Sequence, residues 1–339
     1  MYTKQKQLKK FLVCSILFLC PLTRVVQAQQ TYAEKLGYPK NAKVLILHVD
    51  DVGMSWDSNQ GAIKAMEQGV ANSLSIMMPC PWVPGYVQYL KQHPRVDAGL
   101  HLTLTSEWKE YRWGPLVGKP AAPGLVDAEG AMWPSVEEVV KNASADEVEA
   151  EIRAQIARAR GMGFEPTHLD SHMGTLFASP DFLQRYVKVG IENKIPVMFP
   201  GGHNTMIAAT SGVSPDLLQQ MQQSGQMIWN AGLPVLDDLH NVSYGFSYDR
   251  RKHASEAALQ KFATENYIKT IKQLRPGLTM VIMHCTAPSE VFPHITDSDQ
   301  IRKGDLLAMM DPAFKKFLKD EGIILTTWRE AHERRSKLK

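Results

Sequence analysis

From residue 43 onward, short apolar runs alternate with longer stretches in which apolar residues recur every three or four positions. The runs at 43–49, 73–78 and 96–104 are short, apolar and bounded by Pro or Gly, which predicts buried strands. Between them the periodicity predicts helices over about 59–68 and 83–92. Ser144 stands as an N-cap before a charged helix that runs to Arg160 and stops at Gly161, with a strand at 167–170 after it. Beyond it the pattern predicts a helix at 181–193, a strand at 196–199 and helices at 215–223 and 256–274. A strand at 278–283, a helical stretch at 306–320, a strand at 323–326 and a helix from Arg329 complete the scheme.

Repeated strand–helix alternation with near-continuous apolar strands predicts a parallel sheet covered by helices, an α/β architecture. Six or seven such units favour a closed or nearly closed (β/α) barrel in a single domain over an open sheet. No G-x-G-x-x-G follows the first strand, which removes the main argument for a dinucleotide fold. Two irregular stretches, 106–135 and 200–213 with 229–249, carry Gly, Pro, Trp and Tyr. Loops after barrel strands sit on the active face, so these are candidate substrate walls.

Composition adds the compartment. The chain has 339 residues, 44% hydrophobic and 22% charged, as in an ordinary globular protein. Lys4, Lys6, Lys9, Lys10 and Arg24 precede or flank an apolar run from Phe11 to Leu22, and Val26-Gln27-Ala28 supplies small residues. That order predicts a secretory signal peptide, residues 1–28, cleaved after Ala28, and a catalytic domain over 29–339 in the periplasm or outside the cell. The apolar run is too short for a stable membrane span. Residues 1–28 hold no acid, so the formal +3 of the whole chain becomes a slight negative excess without them. Nothing in that balance favours nucleic acid as a partner, and a homodimer is one assembly open to the chain. Cys80 and Cys285 remain beyond the leader, enough for one bridge at most, and are read as buried thiols.

Polar residues then cluster on the scheme. Asp50 and Asp51 end the first strand, His101 the third, His168, Asp170 and His172 the fourth, and His284 the strand at 278–283. In a parallel barrel these ends converge on one face, and burying such groups together without a mutual partner is costly. A divalent metal or a proton-transfer network removes the cost. Two imidazoles and one carboxylate with room for water make a catalytic metal site. Alternation along the strand puts His168 and Asp170 on one side, with His172 past the strand end and free to turn inward.

The stretches His48-Val49-Asp50-Asp51-Val52-Gly53-Met54-Ser55, Asn59-Gln60-Gly61-Ala62-Ile63, Gly69-Val70-Ala71-Asn72-Ser73, Gly99-Leu100-His101-Leu102-Thr103-Leu104-Thr105 and Pro166-Thr167-His168-Leu169-Asp170-Ser171-His172 carry a resemblance. In order and spacing the sequence resembles the YdjC-like (ChbG/HpnK-type) carbohydrate deacetylases, relatives of the polysaccharide deacetylases. The resemblance implies a distorted (β/α) barrel and metal-dependent removal of acetyl from an N-acetylated amino sugar or oligosaccharide. It implies Asp51, His101 and His172 as ligands of a divalent ion, zinc or magnesium, Asp50 as general base, and His284 as the group that protonates the leaving amine. The chain departs from the family pattern at Met173-Gly174-Thr175 and at Cys285-Thr286-Ala287. Asp170 and His168 are read as orienting the ligands from behind, and Trp82, Trp108, Tyr111, Trp113 and Trp133 as surfaces for sugar rings.

Two rivals stand beside this reading. Another metal-dependent hydrolase on the same barrel, such as a phosphoesterase, would want a basic cluster that the strand ends do not show. A non-catalytic carbohydrate-binding protein would need the aromatics but not the carboxylate–imidazole set.

Overall fold

The computed structural model describes residues 30–241 and 243–338. The leader at 1–28 lies outside the described residues. Among the described residues seven strands form one parallel sheet: β1 (Lys43–Val52), β2 (Ser73–Ile76), β3 (Ala98–Leu102), β4 (Leu169–Ser171), β5 (Asp238–Asn241), β6 (Gly277–Met283) and β7 (Ile324–Leu325). Their order is β4-β3-β2-β1-β6-β5, and β7 pairs with the start of β1, at Val44 and Leu45. The ring is completed by hydrogen bonds without a full ladder. Leu169 N–H donates to Pro196 O and Met198 N–H to Leu169 O, while Gly201 N–H donates to Leu236 O and Leu236 N–H to Phe199 O. The predicted distorted barrel of parallel strands is therefore the observed fold.

Alternation along the strands sorts the side chains into an outer and an inner set. Leu45, Leu47 and Val49 of β1 belong to the large cluster that packs the sheet against its helices. Val44 and Ile46 point the other way, into a second cluster with Leu278, Met280 and Ile282 of β6, and Trp328 and Ala331 of the C-terminal helix join that cluster. Continued upward by twos, the inner registers reach His48 and Asp50 from β1 and His284 from β6. Apolar residues thus fill one end of the inner face, and ionisable ones occupy the strands' carboxyl end.

Sequence capping rules explain most helix bounds. Ser144 caps Ala145–Gly161 with a reciprocal bond to Glu147, and Ser55 caps Trp56–Glu67. The predicted single stretch at 306–320 is two helices, Asp299–Met309 and Pro312–Asp320. Pro312 has no N–H to continue a helix, and Asp311 caps the second one through Ala313 N–H. The first begins earlier than its apolar pattern because its opening turn, Asp-Gln-Ile-Arg, is mostly polar. β5 falls within a stretch read as irregular, since Asp-Leu-His-Asn carries one apolar residue. It pairs in register with β6 from Asp238↔Thr279 to Asn241↔Ile282. No described helix is long and apolar enough to cross a membrane. Cys80 and Cys285 are buried and unpaired.

Candidate metal centre and catalytic cleft

Consecutive residues of a regular strand point to opposite faces, yet Asp50 and Asp51 both line one cleft. The backbone explains this. The β1–β2 register shifts between Val49 and Val52, and Asp51 has φ 62°, a left-handed conformation rare outside glycine. Such a residue costs about 1–3 kcal/mol and persists where its surroundings hold it. Past β4 a second reversal, Met173 at φ 52° followed by Gly174 at φ 65°, succeeds His172, which is buried against the cleft.

Three of the residues named from sequence meet. Asp51 Oδ1 lies 3.4 Å from His101 Nε2 and 3.3 Å from His172 Nδ1. That oxygen is buried and has no hydrogen-bond partner. The other oxygen, Oδ2, accepts from Arg302 Nη1 at 2.7 Å. Each imidazole is fixed from behind: His101 Nδ1 is 2.6 Å from Asp170 Oδ1, and His172 Nε2 is 3.0 Å from Glu107 Oε1. A carboxylate behind each ring leaves His101 Nε2 and His172 Nδ1 as the free donors facing Asp51. Two nitrogen donors and one oxygen donor around a shared point, with an otherwise stranded carboxylate oxygen, fit a divalent cation.

The charges follow the contacts. Burial opposes the charge on Asp51, but Arg302 and the two histidines overcome it and hold the carboxyl well below its usual range. Burial also disfavours protonated His172, yet Glu107 and Asp51 push it up to about 9. His101 is likewise raised by Asp50 and Asp170 against its burial.

Asp50 sits beside this trio, with Oδ2 3.7 Å from His101 Nε2 and Oδ1 3.2 Å from His48 Nε2. His48 also reaches Asp170 Oδ2 at 2.9 Å, and its Nδ1 pairs with Ser73 Oγ. Burial disfavours its charge, but Asp170 and Asp50 push His48 up to about 9. His168 lies lower on the same face, 3.7 Å from Asp170, as the alternation predicts. An added Cβ on Gly99 would stand 2.5 Å from the His168 ring, so the neighbouring strand gives way to that imidazole. His284 Nε2 is 4.0 Å from Asp51 Oδ2, and burial together with Arg302 pulls it down to about 4. Its backbone N–H donates to Asp305, which also accepts from Ser243 and Tyr267.

The cleft measures about 890 Å³. Trp108 is on its wall, while Tyr111 donates to Met54 O and Trp113 is buried with its indole N–H on Thr105 O. Trp133 donates to Gly124 O. Trp82, 44% exposed, is outside the cleft lining and pairs with Trp56, their ring centroids 5.5 Å apart. Sequence reasoning missed Glu107, Arg302, Asp305 and any role for His48. The last was legible, because it precedes Asp50 by two on one strand face. The others sit in a loop and on a polar helix, where no period marks them. Among the described residues lining the cleft, Arg302 is the one lysine or arginine, and it is engaged by Asp51.

Comparison with known proteins adds a lineage. The model of the family described as YdjC-like protein matches residues 44–320. A carbohydrate deacetylase of Thermus thermophilus is 28% identical over 300 residues, covering 88% of this chain and 97% of the relative. A chitooligosaccharide deacetylase of Yersinia enterocolitica is 32% identical over 135 residues, 38% of this chain and 49% of the relative. Among solved structures, an Enterococcus faecalis protein named for cellobiose-phosphate cleavage aligns with a TM-score of 0.65 at 20% identity, covering 85% of this chain and 98% of its own. That likeness is one of fold.

Proposed function

The chain belongs to the YdjC-like protein family, and we propose that it is a metal-dependent deacetylase of N-acetylated amino sugars or their oligosaccharides. The observation that carries the reading is the buried, unpartnered Asp51 Oδ1 facing His101 Nε2 and His172 Nδ1, with a second carboxylate, Asp50, in the same cleft. A divalent ion held by Asp51, His101 and His172 would polarise the amide carbonyl and acidify water. Two imidazoles and a carboxylate suit zinc or another transition ion better than magnesium, which prefers oxygen donors.

The remaining work falls to the chain's own groups. Asp50 accepts the proton of the attacking water, and the cation on His48 holds the Asp50 carboxylate in place from 3.2 Å. Asp170 and Glu107 keep the rings of His101 and His172 from turning. His284 is neutral at rest because burial and Arg302 disfavour its charge. Negative charge developing on the tetrahedral carbon's oxygen favours protonated His284 at the moment the departing nitrogen needs a proton. Water adds to the acetyl carbon, the C–N bond breaks, and acetate and an ammonium sugar leave. Trp108 supplies an apolar wall for a sugar ring.

The test is release of acetate from acetylated chito-oligosaccharides by purified protein, with and without a chelator. Release abolished by chelator and restored by added zinc is the expected result. Silence on every acetylated glycan, with the metal bound, would leave a carbohydrate-binding protein. The leader expected at 1–28 places this activity in the periplasm or outside the cell, as part of the same proposal.

A further inference from the structure

His284 is held differently from the two imidazoles that face Asp51. His101 and His172 each meet a carboxylate at the nitrogen turned away from Asp51. Nδ1 of His284 is buried without a hydrogen-bond partner among the described residues. Its ring is therefore placed by its own backbone and by what packs on it. That backbone has just left the sheet: the registers of β6 end at Met283 opposite β1 and at Ile282 opposite β5, so His284 is the first residue beyond both ladders. A buried N–H there needs an acceptor from elsewhere. Asp305 Oδ2 supplies it at 2.9 Å.

The same oxygen accepts from Ser243 Oγ at 3.0 Å, two residues past the end of β5 at Asn241. Ser243 opens the short turn Ser243–Gly245, whose Tyr244 lines the cleft. The Tyr244 ring stands at 74° to that of His284, with centroids 4.9 Å apart. Tyr267 of the helix Glu256–Gln273 donates to the other carboxylate oxygen, Oδ1, at 2.8 Å and so fixes Asp305 itself. Asp305 follows Arg302 by three residues on the helix Asp299–Met309, a spacing that shares one face. Arg302 holds Asp51, and its carbonyl accepts from Thr286 N–H at 3.3 Å. One helix face thus anchors both sides of the 4.0 Å gap between Asp51 Oδ2 and His284 Nε2.

We propose that Asp305 is the positioning residue for proton delivery to the leaving nitrogen: it places His284 through the backbone and, through Ser243, the Tyr244 ring that flanks it. This rests on the deacetylase reading and adds to it the group that aims the acid. Water adds to the acetyl carbon, His284 Nε2 gives its proton to the nitrogen as the C–N bond breaks, and acetate and the amine leave. An imidazole displaced by about 1 Å would slow that step by about a hundredfold.

Leaving-group chemistry separates aim from mere stability. An amide nitrogen must be protonated to depart, whereas the phenolate of 4-nitrophenyl acetate leaves without a proton. In the zinc-loaded protein, Asp305→Leu should lower kcat on an acetylated chito-oligosaccharide by about a hundredfold, with KM and metal content held. Ester cleavage should fall far less. Asp305→Asn keeps an oxygen for His284 N–H and Ser243, with the Tyr267 hydroxyl turned to accept, and should recover most of the amide turnover. Ser243→Ala leaves the buried carboxylate in place and keeps the test open should Asp305→Leu not fold. It should show the same amide-selective loss at about tenfold. Equal losses on amide and ester, or amide turnover unaltered in Asp305→Leu and Ser243→Ala, overturn the assignment and leave the deacetylase standing. No recovery in Asp305→Asn overturns it too, since charge and not hydrogen bonding would then be at work. No amide cleaved by the unaltered protein, with its metal bound, overturns the deacetylase reading and this assignment with it.

Discussion

Arg302 donates to Asp51 across 251 residues of chain, with Nη1 2.7 Å from Oδ2, and both side chains are buried. The guanidinium satisfies one carboxylate oxygen and thereby turns the other toward His101 and His172. Arg302→Met should leave Asp51 as a buried charge without that partner, a loss of about 3–5 kcal/mol when one member of a buried pair is removed. Thermal unfolding in chelator should show the full loss, and saturating zinc should return part of it. An unfolding midpoint unchanged in chelator would show that Arg302 does not hold the site.

Asp50 and Asp51 are neighbours with different tasks. Asp50→Asn should keep its bound metal and lose turnover by about a hundredfold or more, the usual contribution of a positioned base. His101→Ala and His172→Ala should lose the metal itself. Metal content by elemental analysis, set beside acetate release, separates the two effects. Normal turnover in Asp50→Asn would end its assignment as the base.

Glu107 holds His172 by the nitrogen that faces away from Asp51, at 3.0 Å. Glu107→Gln should weaken metal binding by about 10–100-fold while leaving every donor in place. Competition with a fluorescent chelator measures this, and excess zinc should recover most of the lost activity. Unaltered affinity would show that ring orientation is set elsewhere.

The metal-free protein should become less stable as the solution turns alkaline. His48 and His172 are both raised from an ordinary value of 6.5 to about 9, so their stabilisation is fully present below 6.5 and lost as the pH rises through 9. A cation takes His172 in its neutral form, so zinc stabilisation should grow across that same window. Unfolding midpoints with chelator and with zinc, followed from pH 6 to about 9.5, should therefore diverge. Parallel curves would refute the competition between proton and metal.

The barrel was legible because its strands bury both faces and read as apolar runs, and because Ser144 marks a helix start, while the break at Pro312 went unread inside the stretch 306–320. The site was legible where it lies on strands: alternation puts Asp50, His101 and Asp170 on the inner face with little to decide. It was less legible where backbone departs from the ideal. Nothing in Asp50-Asp51 announces that the second residue takes a left-handed conformation, which is what lets adjacent carboxylates share a cleft. Arg302 and Asp305 were hidden for a different reason. They belong to a helix whose first turn is polar, and a buried polar face has the same sequence signature as a solvated one.

The segment at 196–201 joins β4 to the run before β5 through isolated bridges, at Leu169↔Val197 and Pro200↔Leu236, where the rest of the sheet has ladders. A stave held by so few rungs is where the cask gives first. Amide protons of Met198, Gly201 and Leu236 should exchange with deuterium sooner than those of β1 and β6. Met198, Phe199 and Pro200 also line the cleft, so yielding at this stave would widen the chamber.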